Sequence, residues 1–315
     1  MQQLKSRLWK YKYGMKPLNW FKFDSRVRFQ LVPNLSEENI PEADFVFATA
    51  FQTAEWVTRY SKGKGRKFYL VQSYEDWHGD EKLVKASWLL PLHKVVVSKW
   101  LAEIARDFGE EGRTTYIPPG LDFEQFKILN PIHTRSVPRV GMLLHPHPIK
   151  GAREGVAALE MVKSAFSNLE AVLFGTEMRF EWLPNWVEYV RLPDPERLCT
   201  LYNSCQIFLH PSWVEGWPLP PAEAMACGCA LVAAANPGVR DYAEHGVTAM
   251  LAEVKNPLAL AERVKAVLTD PLLRQRLAET GCAKIAEFTW ERAANVFEQL
   301  LLSEAPVAHE VAGIS

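Results

Sequence analysis

His210-Pro211-Ser212-Trp213-Val214-Glu215-Gly216-Trp217-Pro218-Leu219-Pro220-Pro221-Ala222-Glu223-Ala224-Met225-Ala226-Cys227-Gly228 reads as the end of a strand, a loop and a helix. Pro220 and Pro221 stand where a helix begins, because proline is tolerated in the first turn, and Ala222 to Cys227 are good helix formers. Unpaired N–H groups at such a start attract anions, so the amides of Gly216, Trp217 and Leu219 are expected to hold a phosphate or a sugar hydroxyl. Glu215 and Glu223 lie eight positions apart, one before the loop turns and one in the first turn of the helix. A carboxylate there accepts two hydroxyls of a sugar or ribose at once. Taken singly, Glu223 reads as well as a counter-charge to the helix dipole, and Glu215 as a solvated loop acid.

Outward from this stretch, short β-branched or aromatic runs alternate with helical patterns in both halves of the chain, the signature of βαβ units around parallel sheets. In the first half the pattern predicts strands near 27–32, 44–48, 67–72, 94–97 and 114–117, with helices near 52–61, 81–89 and 98–108, the last capped by Ser98. The proline-bearing segment 130–138 reads as a linker. The second half restarts at Arg139 and predicts strands near 139–144, 169–174, 186–190, 206–210, 229–233 and 248–251. Three helices close the chain near 256–269, 271–287 and 289–302, and the tail from Ser303 is expected to be loose. The expected fold is α/β: two Rossmann-like, doubly wound parallel-sheet domains facing a cleft, where open α/β sheets bind ligands at the carboxyl ends of their strands. The expected boundaries are 1–136, 137–288, a returning C-terminal helix at 289–302 and a tail at 303–315.

The chain's 315 residues suit two domains better than one. With 48% apolar and 23% charged residues it lies within the globular range, and a net charge of −1 argues against a dedicated nucleic-acid binder. The balance is uneven: residues 1–136 carry +5 and residues 137–315 carry −6. The five cysteines form no CxxC pair and read as small buried hydrophobes, although Cys227 and Cys229 flank one glycine in a way that a metal would accept. No apolar run reaches the roughly 18 residues needed to span a bilayer, and the basic N-terminus lacks a signal-peptide core, so a cytoplasmic protein is expected.

The stretch 210–228 resembles the nucleotide-sugar motif of the group 1 (family 4) retaining glycosyltransferases, in which two glutamates are separated by seven residues. Val95-Val96-Val97-Ser98, then Tyr116-Ile117-Pro118-Pro119-Gly120-Leu121-Asp122 with Phe126, is similar to another signature of that family, with Pro119 where asparagine is usual. Lys150-Gly151 resembles its phosphate-binding pair, and Asn236-Pro237-Gly238-Val239-Arg240-Asp241, Gly246 and Phe288-Thr289-Trp290 fall in the family's order. The similarity covers roughly 44–302. It implies the GT-B fold and transfer of a sugar, with retention, from a nucleotide-diphosphate donor to a hydroxyl acceptor: polysaccharide, glycan or lipid-linked. By the same resemblance Glu223 would bind the ribose, Glu215 the transferred sugar, and Lys150 the diphosphate, whose departing charge an ammonium and loop amides stabilise. No cofactor and no metal are expected. His145 stands where many members have an arginine, so leaving-group stabilisation should fall unless Arg153 swings in or His145 is protonated.

In the first half, Gln72, Glu75 and His78 follow a buried strand and are candidates for the acceptor side, against the alternative of an ordinary solvated loop. Gly14 is the only glycine before Gly63, so the glycine-rich turn with which the family's first domain opens is missing. Either the reading frame starts further upstream, or the first domain is abbreviated and a partner chain or oligomer completes it. Residues 1–28 interleave eight cations with aromatics, a mixture suited to peripheral contact with an anionic membrane surface at its inner face, and equally to a helix packed on the sheet. Two readings besides the transferase stay open: a non-catalytic nucleotide-sugar-binding subunit and a nucleotide-sugar epimerase.

Overall fold

The computed structural model describes residues 23–76 and 80–304. The first of two parallel sheets contains β1 (Phe45–Ala48), β2 (Arg66–Val71), β3 (His93–Val96) and β4 (Thr114–Tyr116), side by side in that order. Between them run α1 (Phe51–Arg59), α2 (Glu81–Trp88) and α3 (Lys99–Asp107). Trp88, Tyr69, Val71, Val96 and Leu101 fill the space between helices and sheet.

The second sheet contains β5 (Arg139–Leu143), β6 (Glu170–Gly175), β7 (Val187–Arg191), β8 (Ile207–His210), β9 (Ala230–Ala234) and β10 (Ala249–Ala252). Their spatial order is β10-β9-β8-β5-β6-β7, all parallel. The order therefore reverses between β5 and β8, the position at which open α/β sheets bind their ligands. Both are central strands, which explains why their sequences are continuous apolar runs rather than alternating ones. Helices α4 (Ala152–Ala165), α5 (Pro195–Ser204), α6 (Leu219–Ala226), α7 (Pro257–Thr269) and α8 (Pro271–Ile285) flank this sheet. The final helix, α9 (Trp290–Glu304), packs Ala293, Phe297 and Leu300 on Phe68, Val95 and Ile117 of the first sheet. The molecule is thus α/β with two Rossmann-like layers, the first smaller than the second.

The two sheets present their carboxyl ends to each other. A Cβ on Gly216, after β8, would lie 1.7 Å from the carbonyl oxygen of Gln72, after β2, so only glycine permits this approach of the two backbones. Nearby, Trp100 Nε1 donates to Gly216 O at 3.1 Å. Asp241, from the second domain, accepts the Lys99 amide at 3.2 Å and the Tyr116 hydroxyl at 2.8 Å.

Three sequence expectations need correction. The strand near 27–32 does not form: Val27, Phe29 and Leu31 alternate as a strand would, but all three are exposed, and an alternating run without a neighbouring strand has no ladder to join. The Ser98 side chain does not cap α3, because its hydroxyl is buried without a partner while Asp241 takes the first amide of the helix. Helix α9 extends through Ser303 to Glu304, into the stretch read as tail. Among the described residues, no helix is long and apolar enough to cross a membrane. His78 and residues 1–22 lie outside the described residues.

Candidate active site

Lys150 ends a short 3-10 turn, Pro148–Lys150, directly after β5, and Glu215 lies in the loop after β8, so the strand reversal brings them together. The Lys150 ammonium lies 2.9 and 2.8 Å from the two oxygens of Glu215. The turn is fixed by Gly151, whose φ of 63° and approach to Pro211 O, 2.2 Å from where a Cβ would stand, admit only glycine. Ser212 and Asn236 hold the other side: Asn236 Nδ2 donates to Ser212 O at 3.1 Å, and the 3-10 turn that Asn236 opens packs Gly238 against the backbone of Glu215.

Glu223 sits one turn into α6, half-buried, accepting the Tyr202 hydroxyl at 2.8 Å. Burial pushes its pKa up to about 7, against the opposing effect of the Tyr202 bond. Tyr242 borders both acids: its pKa is raised by burial first and then by the charges of Glu215, Asp241 and Glu223, while its hydroxyl donates to Pro218 O at 2.8 Å. Pro220 and Pro221 lack N–H groups, so α6 offers an anion fewer first-turn donors than an ordinary helix. The amides of Gly216, Trp217 and Leu219, the expected anion donors, lie in this loop and at the start of α6. The Trp217 indole is a core group, packed between Tyr242 and Phe288 at 4.8 and 5.2 Å, and the Leu219 side chain is exposed.

His145, after β5, accepts the His147 amide at Nδ1, 3.1 Å, which leaves the proton of a neutral ring on Nε2. Burial, then the positive charge of Lys150, holds its pKa below the usual histidine value. A neutral imidazole offering one N–H is therefore what stands beside Lys150. Arg153 does not share that position: its exposed guanidinium stacks 4.8 Å over the Trp182 ring. On the facing domain, Glu75 Oε2 accepts the Phe51 amide at 2.9 Å and so caps α1, and the exposed Gln72 side chain reaches Thr49 O at 3.4 Å. Cys199, Cys205, Cys227 and Cys229 are buried, and Cys282 is half-buried. Among the described residues, no group of three His, Cys, Asp or Glu is arranged to hold a metal.

Two features had no role assigned by the motif reading. His210, the last residue of β8, is buried with its Nε2 unpaired, 4.0 Å from Glu215 Oε1. Its sequence signal is a polar residue closing the apolar run Ile207-Phe208-Leu209. Second, the buried side-chain polar atoms without partners, among the described residues, are Ser73 Oγ, Ser98 Oγ, His210 Nε2, Trp213 Nε1 and Trp217 Nε1. All five follow or end strands β2, β3 and β8 at the facing carboxyl ends. Orphaned polar atoms are rare in folded interiors.

Residues 147–283 match the family described as Glycosyl transferases group 1. A D-inositol 3-phosphate glycosyltransferase of Xylanimonas cellulosilytica is 38% identical over 101 residues, which are 32% of this chain and 24% of that protein. The chain thus matches about a quarter of the length of such curated relatives. Among solved structures, HepE of Anabaena in complex with UDP-glucose superposes with a TM-score of 0.72 at 18% identity, over 82% of this chain and 79% of that one. Sucrose-phosphate synthase of Thermosynechococcus elongatus superposes with 0.70 at 19% identity, over 82% and 73%. These two likenesses carry the two-domain fold.

Proposed function

With residues 147–283 a domain of the group 1 glycosyl transferases, we propose that the chain transfers a sugar from a nucleotide-diphosphate donor to a hydroxyl acceptor, with retention of configuration and without a metal. The observation that supports this reading is the Lys150–Glu215 pair at the strand reversal between β5 and β8, with Glu223 one turn into the helix that follows the same loop. Cleaving a glycosyl–phosphate bond leaves charge on the departing diphosphate. A fixed ammonium and loop amides stabilise that charge as it develops, which is where preorganised electrostatics contribute most. In this reading Lys150 leaves Glu215 for the diphosphate, the His145 Nε2–H adds a neutral donor, and the freed Glu215 accepts a hydroxyl of the transferred sugar. Glu223, one turn into α6, accepts the ribose hydroxyls. HepE was solved with UDP-glucose, which supports a donor of this class. The acceptor enters from the first domain, past Gln72. Retention is assigned to departure of the leaving group and attack by the acceptor on one face of the sugar, which requires no carboxylate nucleophile.

The test is a donor screen with UDP- and GDP-sugars, following release of the nucleoside diphosphate and, by NMR, the anomer formed. Release without added acceptor, slow but above background, is expected, with an unchanged rate in EDTA. Binding of UDP or GDP without any release would favour a non-catalytic nucleotide-sugar-binding subunit. Loss of the rate in EDTA would remove the metal-free part of the reading.

A further inference from the structure

His210 closes a central strand of the second sheet with its ring almost wholly inside the domain, 3% exposed. Its register partner on β9 is Ala233, and the residues before it are Ile207, Phe208 and Leu209. An aliphatic side chain would satisfy that packing, so the imidazole is not there to fill space. Burial holds its pKa down at about 4, and the ring is neutral near pH 7 with a single N–H. The charged groups that face it are Glu215, from the loop after β8, and Lys150, from the turn after β5. Glu215 Oε1 is 4.0 Å from Nε2, about 1 Å beyond an ordinary hydrogen bond.

The neighbouring pair explains why that bond is not made. Both oxygens of Glu215 are engaged by the Lys150 ammonium. The side chain of Glu215 is only 12% exposed, so it cannot exchange Lys150 for bulk water when Lys150 turns to another anion. A second donor must be at hand. His145, after β5, accepts the His147 amide at Nδ1, and its remaining N–H is the one assigned above to the diphosphate. His210 is the donor whose nitrogen is unpaired and already beside the carboxylate.

We propose that His210 is a positioning residue for Glu215: when Lys150 moves to the donor's diphosphate, the His210 Nε2–H takes the released carboxylate oxygen and keeps Glu215 aimed at the transferred sugar. This deepens the function proposed above and rests on it. The hand-over lets one lysine neutralise Glu215 in the empty site and the diphosphate in the filled one, without leaving a buried carboxylate uncompensated in either state.

A ligand-free experiment tests the hand-over itself. Lys150→Met removes the competing cation, and the ring nitrogens of His210 are titrated by two-dimensional ¹H–¹⁵N NMR. The His210 pKa is expected to rise by about one unit or more over the wild type, because an unshared carboxylate favours the imidazolium. The rise should vanish in Lys150→Met/Glu215→Gln. An unchanged titration in Lys150→Met overturns the proposal. Calorimetry with UDP and UDP-glucose, and with GDP and GDP-mannose, tests its consequence. His210→Leu should keep nucleoside-diphosphate affinity within about twofold and lose about tenfold for the matching nucleotide-sugar, with His210→Gln recovering most of that loss. Equal losses for nucleotide and nucleotide-sugar would mark a merely structural histidine and overturn the proposal. A wild type that binds none of these ligands, while the ring still titrates higher in Lys150→Met, would count against the donor reading and for the coupling of His210 to Glu215.

Discussion

Lys150 and Glu215, 65 positions apart in sequence, form a bidentate ion pair, with the ammonium 2.9 and 2.8 Å from the two carboxylate oxygens. The side chains are 27% and 12% exposed, so the pair is more than a surface contact and less than a fully buried one. Lys150→Ala leaves Glu215 without its counter-ion and should destabilise the fold by about 1–3 kcal/mol, below the penalty of a wholly buried pair. It should also lower donor turnover by at least about a hundredfold if the ammonium stabilises the departing diphosphate. Urea denaturation and a nucleotide-release assay measure the two effects. Full turnover in the variant would mean that the lysine serves Glu215 alone.

Glu223 should trade stability for binding. Its pKa, raised by burial from 4.5 to about 7, lies above the unfolded value. Below pH 4.5 both states hold the proton; above it the unfolded chain releases first, so the stability associated with this group is lost as pH rises and is gone above about pH 7. Glu223→Gln should therefore stabilise the ligand-free protein by about 1–3 kcal/mol at pH 8 and by little at pH 4, as followed by denaturant melts. Wild-type affinity for UDP or GDP should rise from pH 6 to pH 8 as the carboxylate forms. In the variant it should be flat with pH and about tenfold weaker. A wild type whose affinity ignores pH would place the nucleotide elsewhere.

The second domain was largely legible in the sequence, because most of its strands are buried on both faces and read as apolar runs bounded by turn residues, the edge strand β7 excepted. Predicted and observed strands, such as 206–210 and Ile207–His210, differ by a residue or two at their ends. The glutamate spacing and Lys150-Gly151 were legible as a motif. Their mutual pairing was not, since it depends on the strand reversal rather than on spacing. Glu75 read as a solvated loop acid or an acceptor contact; the bond it makes to the first amide of α1, 24 positions away, gave no local signal. The capping of α3 was hidden for the same reason: Ser98 has the right chemistry in the right place, yet Asp241, 142 positions downstream of Lys99, occupies the Lys99 amide. Alternation at 27–32 misled because period two reports a strand only where a neighbour exists to pair with it.

Asp241 joins the two domains. Asp241→Ala strands the Tyr116 hydroxyl and the Lys99 amide, and should cost about 2–3 kcal/mol. Tyr116→Phe removes one of these bonds and should cost about 1 kcal/mol. The double variant should be more stable than the sum of the single losses predicts, by about 1 kcal/mol, because the two residues share a bond. Denaturation of the four proteins measures this coupling across the interface; a value of zero would mean that the Tyr116–Asp241 bond does not tie the domains together.

Gly216→Ala tests the closeness of the two sheets more directly. The added methyl would stand 1.7 Å from the Gln72 carbonyl oxygen, a backbone atom that cannot turn aside, so the domains must separate or the loop must shift. Overpacking of this kind should cost about 1–3 kcal/mol and increase the radius of gyration seen by small-angle scattering. Gly112→Ala, where a methyl would meet nothing within 4 Å, serves as the control and should change neither quantity. If the loop shifts instead, the amide of residue 216 moves with it, and nucleoside-diphosphate affinity should fall while the scattering profile stays the same. The two outcomes separate a glycine needed for domain approach from one needed for the anion-binding loop, and a variant unchanged in both would refute the close contact between Gly216 and Gln72.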